Sequence, residues 1–296
     1  MRSKKTSTRV MNNNKNCDVS IVCANFNNGK YLDEFFSGVI NSTVLPKELI
    51  IIDDGSTDNS LEILSRYNLP YLKVIVLENN LGFANALNEG ISKAKGKYIL
   101  RVDPDDILEK TRIEKQFIFL ENNPTIDLTG TNVVYFNETL ENSVGTSNFP
   151  QKSEIIRKRF QKGEHGLLHG TVMGKTLIFK KHLYNQANVP AEDYDIFSRM
   201  IKDGAKAQSI SENLTFVRIH QNSVSNTLPF STVKKTYLLR DEVFETKTSR
   251  FKIVVNYLSL KYYRRYFFER NHVKRILFLG ISSVLRFDKV LNKYFK

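Results

Sequence analysis

Residues 98–113 read YILRVDPDDILEKTRI, an apolar run that stops at three aspartates, Asp103, Asp105 and Asp106, packed around Pro104. Carboxylates this close repel one another and raise each other's pKa unless a cation neutralises them. In a chain of formal net charge +13, such a cluster needs a physical reason. One is a divalent cation, for which carboxylate oxygens are suitable ligands. The other is a solvated turn whose Asp and Pro cap a helix beginning near Ile107. More carboxylates stand together in IIIDDGSTDNS (Asp53, Asp54) and in PAEDYD (Glu192, Asp193, Asp195), and histidines stand in LLHGTVM (His169) and VRIHQNSVS (His220).

The elements that must position these groups are legible from periodicity. DVSIVCANF is a short β-branched run that passes into NNGKYLDEFFSGVINST, where Leu32, Phe35, Phe36, Val39 and Ile40 recur at helical spacing. KELIIIDDGSTDNSLEILSRY repeats this order, with a buried strand ending at Asp53 and Asp54, a Gly-Ser turn, and a helix capped by Ser56 or Thr57. LKVIVLE and KYILRVD add two strands around the helical GFANALNEGISKAKG. Strands alternating with helices predict a mostly parallel, Rossmann-like α/β sheet covered on both faces. Ligands of such sheets bind beyond the carboxyl ends of the strands, where Asp53, Asp54 and the aspartates of DPDD stand. Further on, IDLTGTNVVYF reads as a strand between a helix ending near Asn122 and polar loops at about 137–153. TVMGKTLIFKKHLY reads as a strand leading into a helix, and PAEDYDIFSRMIKDG as a helix with acidic residues in its first turn and Gly204 as its C-cap.

At 296 residues and 41% apolar content, the chain has the size and composition of a globular protein with one large domain or a domain plus an appendage. Cys17 and Cys23 are the only cysteines and Cys23 lies in a strand-like run, which argues against a disulfide framework and fits a reducing cytosol. Residues 1–17 read as a disordered basic tail without an apolar segment of signal-peptide length. The longest apolar stretch late in the chain, ILFLGISSVL, falls well short of the roughly 18–20 residues of a membrane span.

Together these segments resemble glycosyltransferase family 2, the inverting sugar-nucleotide transferases of GT-A fold, over about residues 18–226. The likeness rests on VSIVCANFNNGKYL, IIIDDGSTDNS, NNLGFANALNEGI with GKYILRVDPDD, HGTVM, AEDYDIFSRM and VRIHQNSVS. Each motif alone is weak; their order and spacing are specific. The resemblance implies a nucleotide-sugar donor, with UDP as the nucleotide, in a donor half of about 18–113, an acceptor in a half of about 114–226, and Mn2+ or Mg2+ between them. It implies Asp54, with Asp53, at the base, Phe26 stacked on the pyrimidine, Asp103 at the ribose, and Asp105 as direct metal ligand with His220. Asp106 is left between a ligand and a helix cap, and His169 between the acceptor side and a satisfied structural histidine. An inverting displacement needs a general base opposite the leaving group, and the family places it in the ED of PAEDYD: Asp193 as base, Glu192 on sugar hydroxyls, with Asp195 a helix-face residue. Two departures bear on the nucleotide, namely Ala24 where many relatives carry Thr, and Leu87 where many carry Arg.

Two other readings compete. A sugar nucleotidyltransferase shares the sheet and carboxylates but needs a Gly-rich basic loop, and CANFNNGKYL has one Gly and one Lys. A nucleic-acid-binding protein fits a pI near 9.5 and the segment KYYRRYFFERNHVKR but leaves the acidic residues unexplained, so no nucleic-acid partner is expected. Residues 231–296 hold 16 Lys and Arg against 5 Asp and Glu. Within this extension, taken as 227–296, Leu277, Ile281, Val284, Leu285, Leu291, Tyr294 and Phe295 recur at helical spacing among Arg275, Arg286, Lys289 and Lys293. This predicts a basic amphipathic helical extension that either covers its own domain or docks on an anionic membrane surface. Docking implies a cytoplasmic protein, peripheral on the inner face of the cell membrane, acting on a saccharide or lipid-linked acceptor.

Overall fold

The structure is a computed structural model that describes residues 16–137, 139–219, 229–269 and 271–286. In chain order the elements are β1 (Asn16–Asn25), α1 (Gly29–Ile40), β2 (Leu45–Asp53), α2 (Ser60–Arg66), β3 (Leu72–Val76), α3 (Phe83–Lys93), β4 (Tyr98–Arg101) and β5 (Ile107–Leu108). They continue with α4 (Arg112–Asn122), β6 (Leu128–Asn137), β7 (Ser143–Thr146), α5 (Ser153–Gln161), β8 (Met173–Lys175), α6 (Thr176–Lys181), α7 (Glu192–Lys202) and β9 (Ala207–Ile219). The chain then turns helical, through α8 (Phe230–Val243), α9 (Arg250–Phe268) and α10 (His272–Leu285).

Among the described residues the strands form one sheet in the order β3-β2-β1-β4-β8-β6-β9-β5, with β7 beside β6. The pairs β1–β2, β2–β3, β1–β4 and β6–β9 are parallel, whereas β8 runs antiparallel to β4 and β6, and β5 antiparallel to β9. The parallel layout read from the first 113 residues therefore holds for β1–β4, and the sheet as a whole is mixed. The reversed strands are β8, which enters between β4 and β6, and β5, which pairs with β9 at the sheet's end.

The strands are apolar along their whole length because successive side chains feed two separate cores. Val22, Ala24, Ile50, Ile52 and Ile99 pack with α3 and α7 on one face, through Leu87, Ile91, Phe197 and Met200. Val19, Ile21, Cys23, Leu49, Ile51 and Leu100 pack with α1 on the other, through Leu32, Phe35, Phe36 and Val39. Leu87 is thus a core residue.

Several local expectations change. Asn16 and Cys17 belong to β1, paired with Leu45 and Pro46, so the tail ends earlier than residue 17; residues 1–15 lie outside the described residues. No helix begins at Ile107. Ile107 and Leu108 pair with Phe216 and Thr215 as β5, and α4 starts at Arg112. Helix α2 starts at Ser60 after Asn59 rather than under a Ser56 or Thr57 cap, because Ser56 spends both its amide and hydroxyl on Asp53. A short strand, β7, occupies part of the stretch read as polar loop. Gly204 follows the cap residue Asp203 of α7 and supplies the left-handed turn, at φ +97°.

Helix α8 is part of the main body: Leu239 sits in the α3–α7 core, and Lys235 Nζ donates to the carbonyls of Ala187 (2.5 Å) and Val189 (2.9 Å), just ahead of α7. The boundary placed at 226 and 227 falls outside the described residues.

Candidate active site

Three loops at the carboxyl ends of the parallel strands are cross-bonded before any ligand is considered. Asn27, which adopts φ +56°, accepts the amides of Thr57 (2.7 Å) and Asp58 (3.2 Å), and the Asp58 carboxylate takes the Gly29 amide at 2.9 Å. This fastens the loop after β1 to the loop after β2. Asp53 is buried and accepts from Asn25 (2.7 Å) and from the amide and hydroxyl of Ser56 (2.9 and 2.8 Å). Asp54, also buried, takes the amides of Leu81 (2.7 Å) and Gly82 (2.9 Å) at the entry to α3. Both aspartates are therefore structural staples, whatever else they meet. Phe26 stands on the first of these loops with 45% of its surface exposed, which excludes simple core packing.

The DPDD segment lies past the end of β4. Asp103 is ion-paired with the buried Arg101. Asp106 is buried and accepts the backbone amide of Arg218 at 3.1 Å, so it is neither a helix cap nor solvated. Arg218 also donates to the Asp105 carbonyl (3.2 Å) and pairs with Glu34, which holds the segment against β9 and α1. Beneath it, the fully buried Arg112 donates to the carbonyls of Arg101 (3.1 Å) and Gly170 (2.8 Å). Gly170 is required by space: a Cβ there would lie 2.8 Å from Asp103 Oδ2 and 3.4 Å from Asp106 Oδ2. HGTVM and DPDD are thus two sides of one contact.

Burial, reinforced by the Asp105 charge, pushes the carboxyls of Asp103 and Asp106 above the usual carboxylate range, with Arg101 working against the rise. That is the electrostatic condition a bound cation relieves, and the oxygen donors suit a hard divalent ion. Among the described residues no three His, Cys, Asp or Glu side chains are grouped so that they could hold a metal ion by themselves. His220 lies outside the described residues.

Glu192 and Asp193 open α7. Asp193 Oδ1 accepts the Tyr194 amide at 2.7 Å, and its Oδ2 lies 3.4 Å from His165 Nδ1. Glu192 Oε2 is buried without a hydrogen-bond partner. Burial, aided by the Asp193 charge, pushes Glu192 up to about 7, and both Arg101 and Asp103 act on it across the gap. The DPDD segment and the ED pair therefore share one electrostatic environment, although 86 residues separate Asp106 from Glu192. Asp195 is apart from this group, buried and bound by Arg199 at 3.1 and 2.8 Å. His169 is a satisfied structural histidine: Nε2 lies 2.6 Å from the Tyr184 hydroxyl, and burial holds its pKa well below the usual histidine range, so it is neutral. His165 and Arg218 were not singled out in the sequence. Only the position of Arg218 in VRIHQNSVS offered a signal.

A model of glycosyl transferase family 2 matches residues 20–184. An uncharacterized glycosyltransferase of Methanocaldococcus jannaschii is 34% identical over 207 residues, covering 68% of this chain and 70% of the relative. The putative teichuronic acid biosynthesis glycosyltransferase TuaG of Bacillus subtilis is 26% identical over 233 residues, covering 76% and 88%. Among solved structures, residues 1–349 of S. aureus TarS in complex with UDP-GlcNAc superpose with a TM-score of 0.63 at 19% identity, covering 90% of this chain and 81% of that one. That likeness establishes the fold.

Proposed function

The chain belongs to glycosyltransferase family 2, and on that premise we propose that it moves a sugar from a UDP-sugar to a hydroxyl of a saccharide or lipid-linked acceptor, with inversion, in surface polysaccharide synthesis. One observation carries the reading: the ED pair at the start of α7 and the DPDD segment past β4 are near enough for the charges of Arg101 and Asp103 to act on the Glu192 carboxyl. The acquaintance of TarS with UDP-GlcNAc supports the choice of nucleotide, and the name of TuaG supports a cell-surface product.

Phe26, exposed on the loop after β1, would stack on the base, with Asp54 and Asp53 as its carboxylate partners. Asp103, held by Arg101, takes the ribose side. Asp105 would hold Mn2+ or Mg2+, with His220 proposed as a further protein ligand. The cation would supply charge stabilisation for the departing diphosphate.

In the transfer the acceptor hydroxyl oxygen bonds to the anomeric carbon as the carbon–oxygen bond to the diphosphate breaks. The nucleoside diphosphate leaves with that electron pair, and the hydroxyl proton passes to the Asp193 carboxylate. Glu192, largely neutral below about pH 7 in the free protein, offers a buried O–H donor to a sugar hydroxyl. A lipid-linked acceptor would put the enzyme at the inner face of the cell membrane as a peripheral protein.

The test is Asp193→Asn. UDP-sugar binding should persist while transfer falls by about 10² to 10⁴, the usual cost of losing a general base. Transfer near the wild-type rate removes Asp193 from that role; loss of donor binding as well contradicts the separation of the two halves.

A further inference from the structure

Helix α10 reads HVKRILFLGISSVL, and its orientation is the reverse of what its composition leads one to expect. The side that packs on α9 is small and polar at its centre: Ser282 and Ser259 exchange hydrogen bonds at 2.9–3.1 Å, and Phe278 meets Tyr262. At 3.6 residues per turn, Val273, Ile276, Leu277, Gly280 and Val284 fall on the opposite side. They are open to solvent, with Val273 at 76%, Ile276 at 60%, Leu277 at 57% and Val284 at 76% exposure, and nothing lies within 4 Å of where a Gly280 Cβ would be. An apolar helix face turned outward is unusual in a chain whose other helices, α9 included through Ile253 and Tyr257, contribute apolar residues to buried clusters.

The surroundings of this strip are strongly basic. Residues 250–286 contain nine Lys and Arg against Glu269 as the single acidic residue. Of these, Lys274 flanks the strip, Arg275 lies on the α9 side over the Tyr266 ring at 4.9 Å, and Arg265 stands on α9 itself, all three exposed. Two occupants could cover apolar surface here. A second copy would bring the same positive charge against itself, a repulsion with no acidic patch on the hairpin to offset it. A lipid leaflet rich in anionic headgroups answers both features: acyl chains for the strip and phosphates for the cations, each basic residue near such a surface adding on the order of 1 kcal/mol. No helix among the described residues is long and apolar enough to cross a membrane, so the geometry is that of a helix lying in the interface.

We infer that the outward face of α10, Val273, Ile276, Leu277 and Val284 with Lys274 beside them, inserts into the headgroup region of an anionic leaflet. The hairpin is tied to the acceptor side of the site. Arg286, at the end of α10, bonds Asn256 (2.6 Å) and Glu164 (3.2 Å), and the next residue, His165, is the one that meets Asp193. Docking through α10 therefore fixes the proposed base relative to the plane of the membrane. This deepens the lipid-linked acceptor reading, but binding of vesicles needs neither donor nor acceptor, so the two can fail separately.

The experiment is co-sedimentation of the full chain with vesicles of phosphatidylcholine alone and of phosphatidylcholine with 40% phosphatidylglycerol, at about 50 mM and about 500 mM salt. The double variant Ile276→Asp/Leu277→Asp is run beside it, with circular dichroism confirming its fold. The wild type should bind the anionic vesicles, weaken with salt and ignore the neutral ones. The variant should bind about a hundredfold less, since it loses two apolar anchors and gains two charges the leaflet repels. Equal binding by variant and wild type, or binding indifferent to lipid charge, overturns the inference. So does a dimer in sedimentation equilibrium that the same variant dissociates, which would assign the face to a second copy.

Discussion

Replacing Glu192 by Gln should change how stability depends on pH, in a direction and amount the structure fixes. Burial and the Asp193 charge raise the Glu192 carboxyl from 4.5 to about 7, so the folded state holds a proton that the unfolded chain has released. Below about 4.5 both states are protonated and the group contributes nothing to the difference. As pH climbs from about 4.5 to about 7, the unfolded state binds fewer protons, and stability falls; above about 7 both are ionised and the loss is complete. This rise corresponds to about 3 kcal/mol at most, of which about 2.5 kcal/mol accrues between pH 5 and pH 8. Gln keeps the shape and cannot ionise, so it removes this dependence and leaves the other titrating groups to cancel in the comparison. At roughly 2–4 °C per kcal/mol for a large domain, the variant should gain about 5 °C or more in Tm over the wild type on going from pH 5 to pH 8. Scanning calorimetry of both proteins across that range is the assay. Parallel Tm curves, with a constant offset, would show that Glu192 is not held neutral by its surroundings.

Asp105→Asn should lower UDP affinity more than tenfold in the presence of Mn2+ while leaving metal-free affinity almost unchanged, because only the charge available to the cation is removed; calorimetry with equal affinities for variant and wild type would take Asp105 out of the metal site. Gly170→Ala should displace the Asp103 carboxylate, whose Oδ2 lies 2.8 Å from the new methyl, and press on Arg101 Nη1 at 3.2 Å, at a stability loss of about 1–3 kcal/mol together with weaker donor binding. A variant as stable as the wild type would mean that the DPDD segment yields freely to the HGT turn.

The donor-side strands and helices were legible because they obey two simple periods, and the alternation of β1, β2 and β4 between two cores is what a sheet covered on both faces requires. What local pattern could not reveal was pairing at long range. Ile107 looked like the first residue of a helix because Asp and Pro precede it, yet β9, more than a hundred residues later, takes Ile107 and Leu108 as a strand. The same strand delivers Arg218, whose amide settles Asp106 as a buried acceptor instead of a cap. Likewise Asp54, with Asp53 beside it, reads as the candidate for a nucleotide base, but adjacent residues at a strand's end point different ways. One is spent on Asn25 and Ser56 and the other on the entry to α3. The His165–Asp193 contact spans 28 residues with no periodic signal at either end. In α10 composition and placement part company altogether: the apolar residues that would ordinarily mark a core-facing stripe turn to solvent, while two serines make the contact with α9. A helix can be read as amphipathic from its sequence alone, but which way its apolar side faces depends on whether the rest of the chain offers a core to receive it. Here both cores are already filled by other elements.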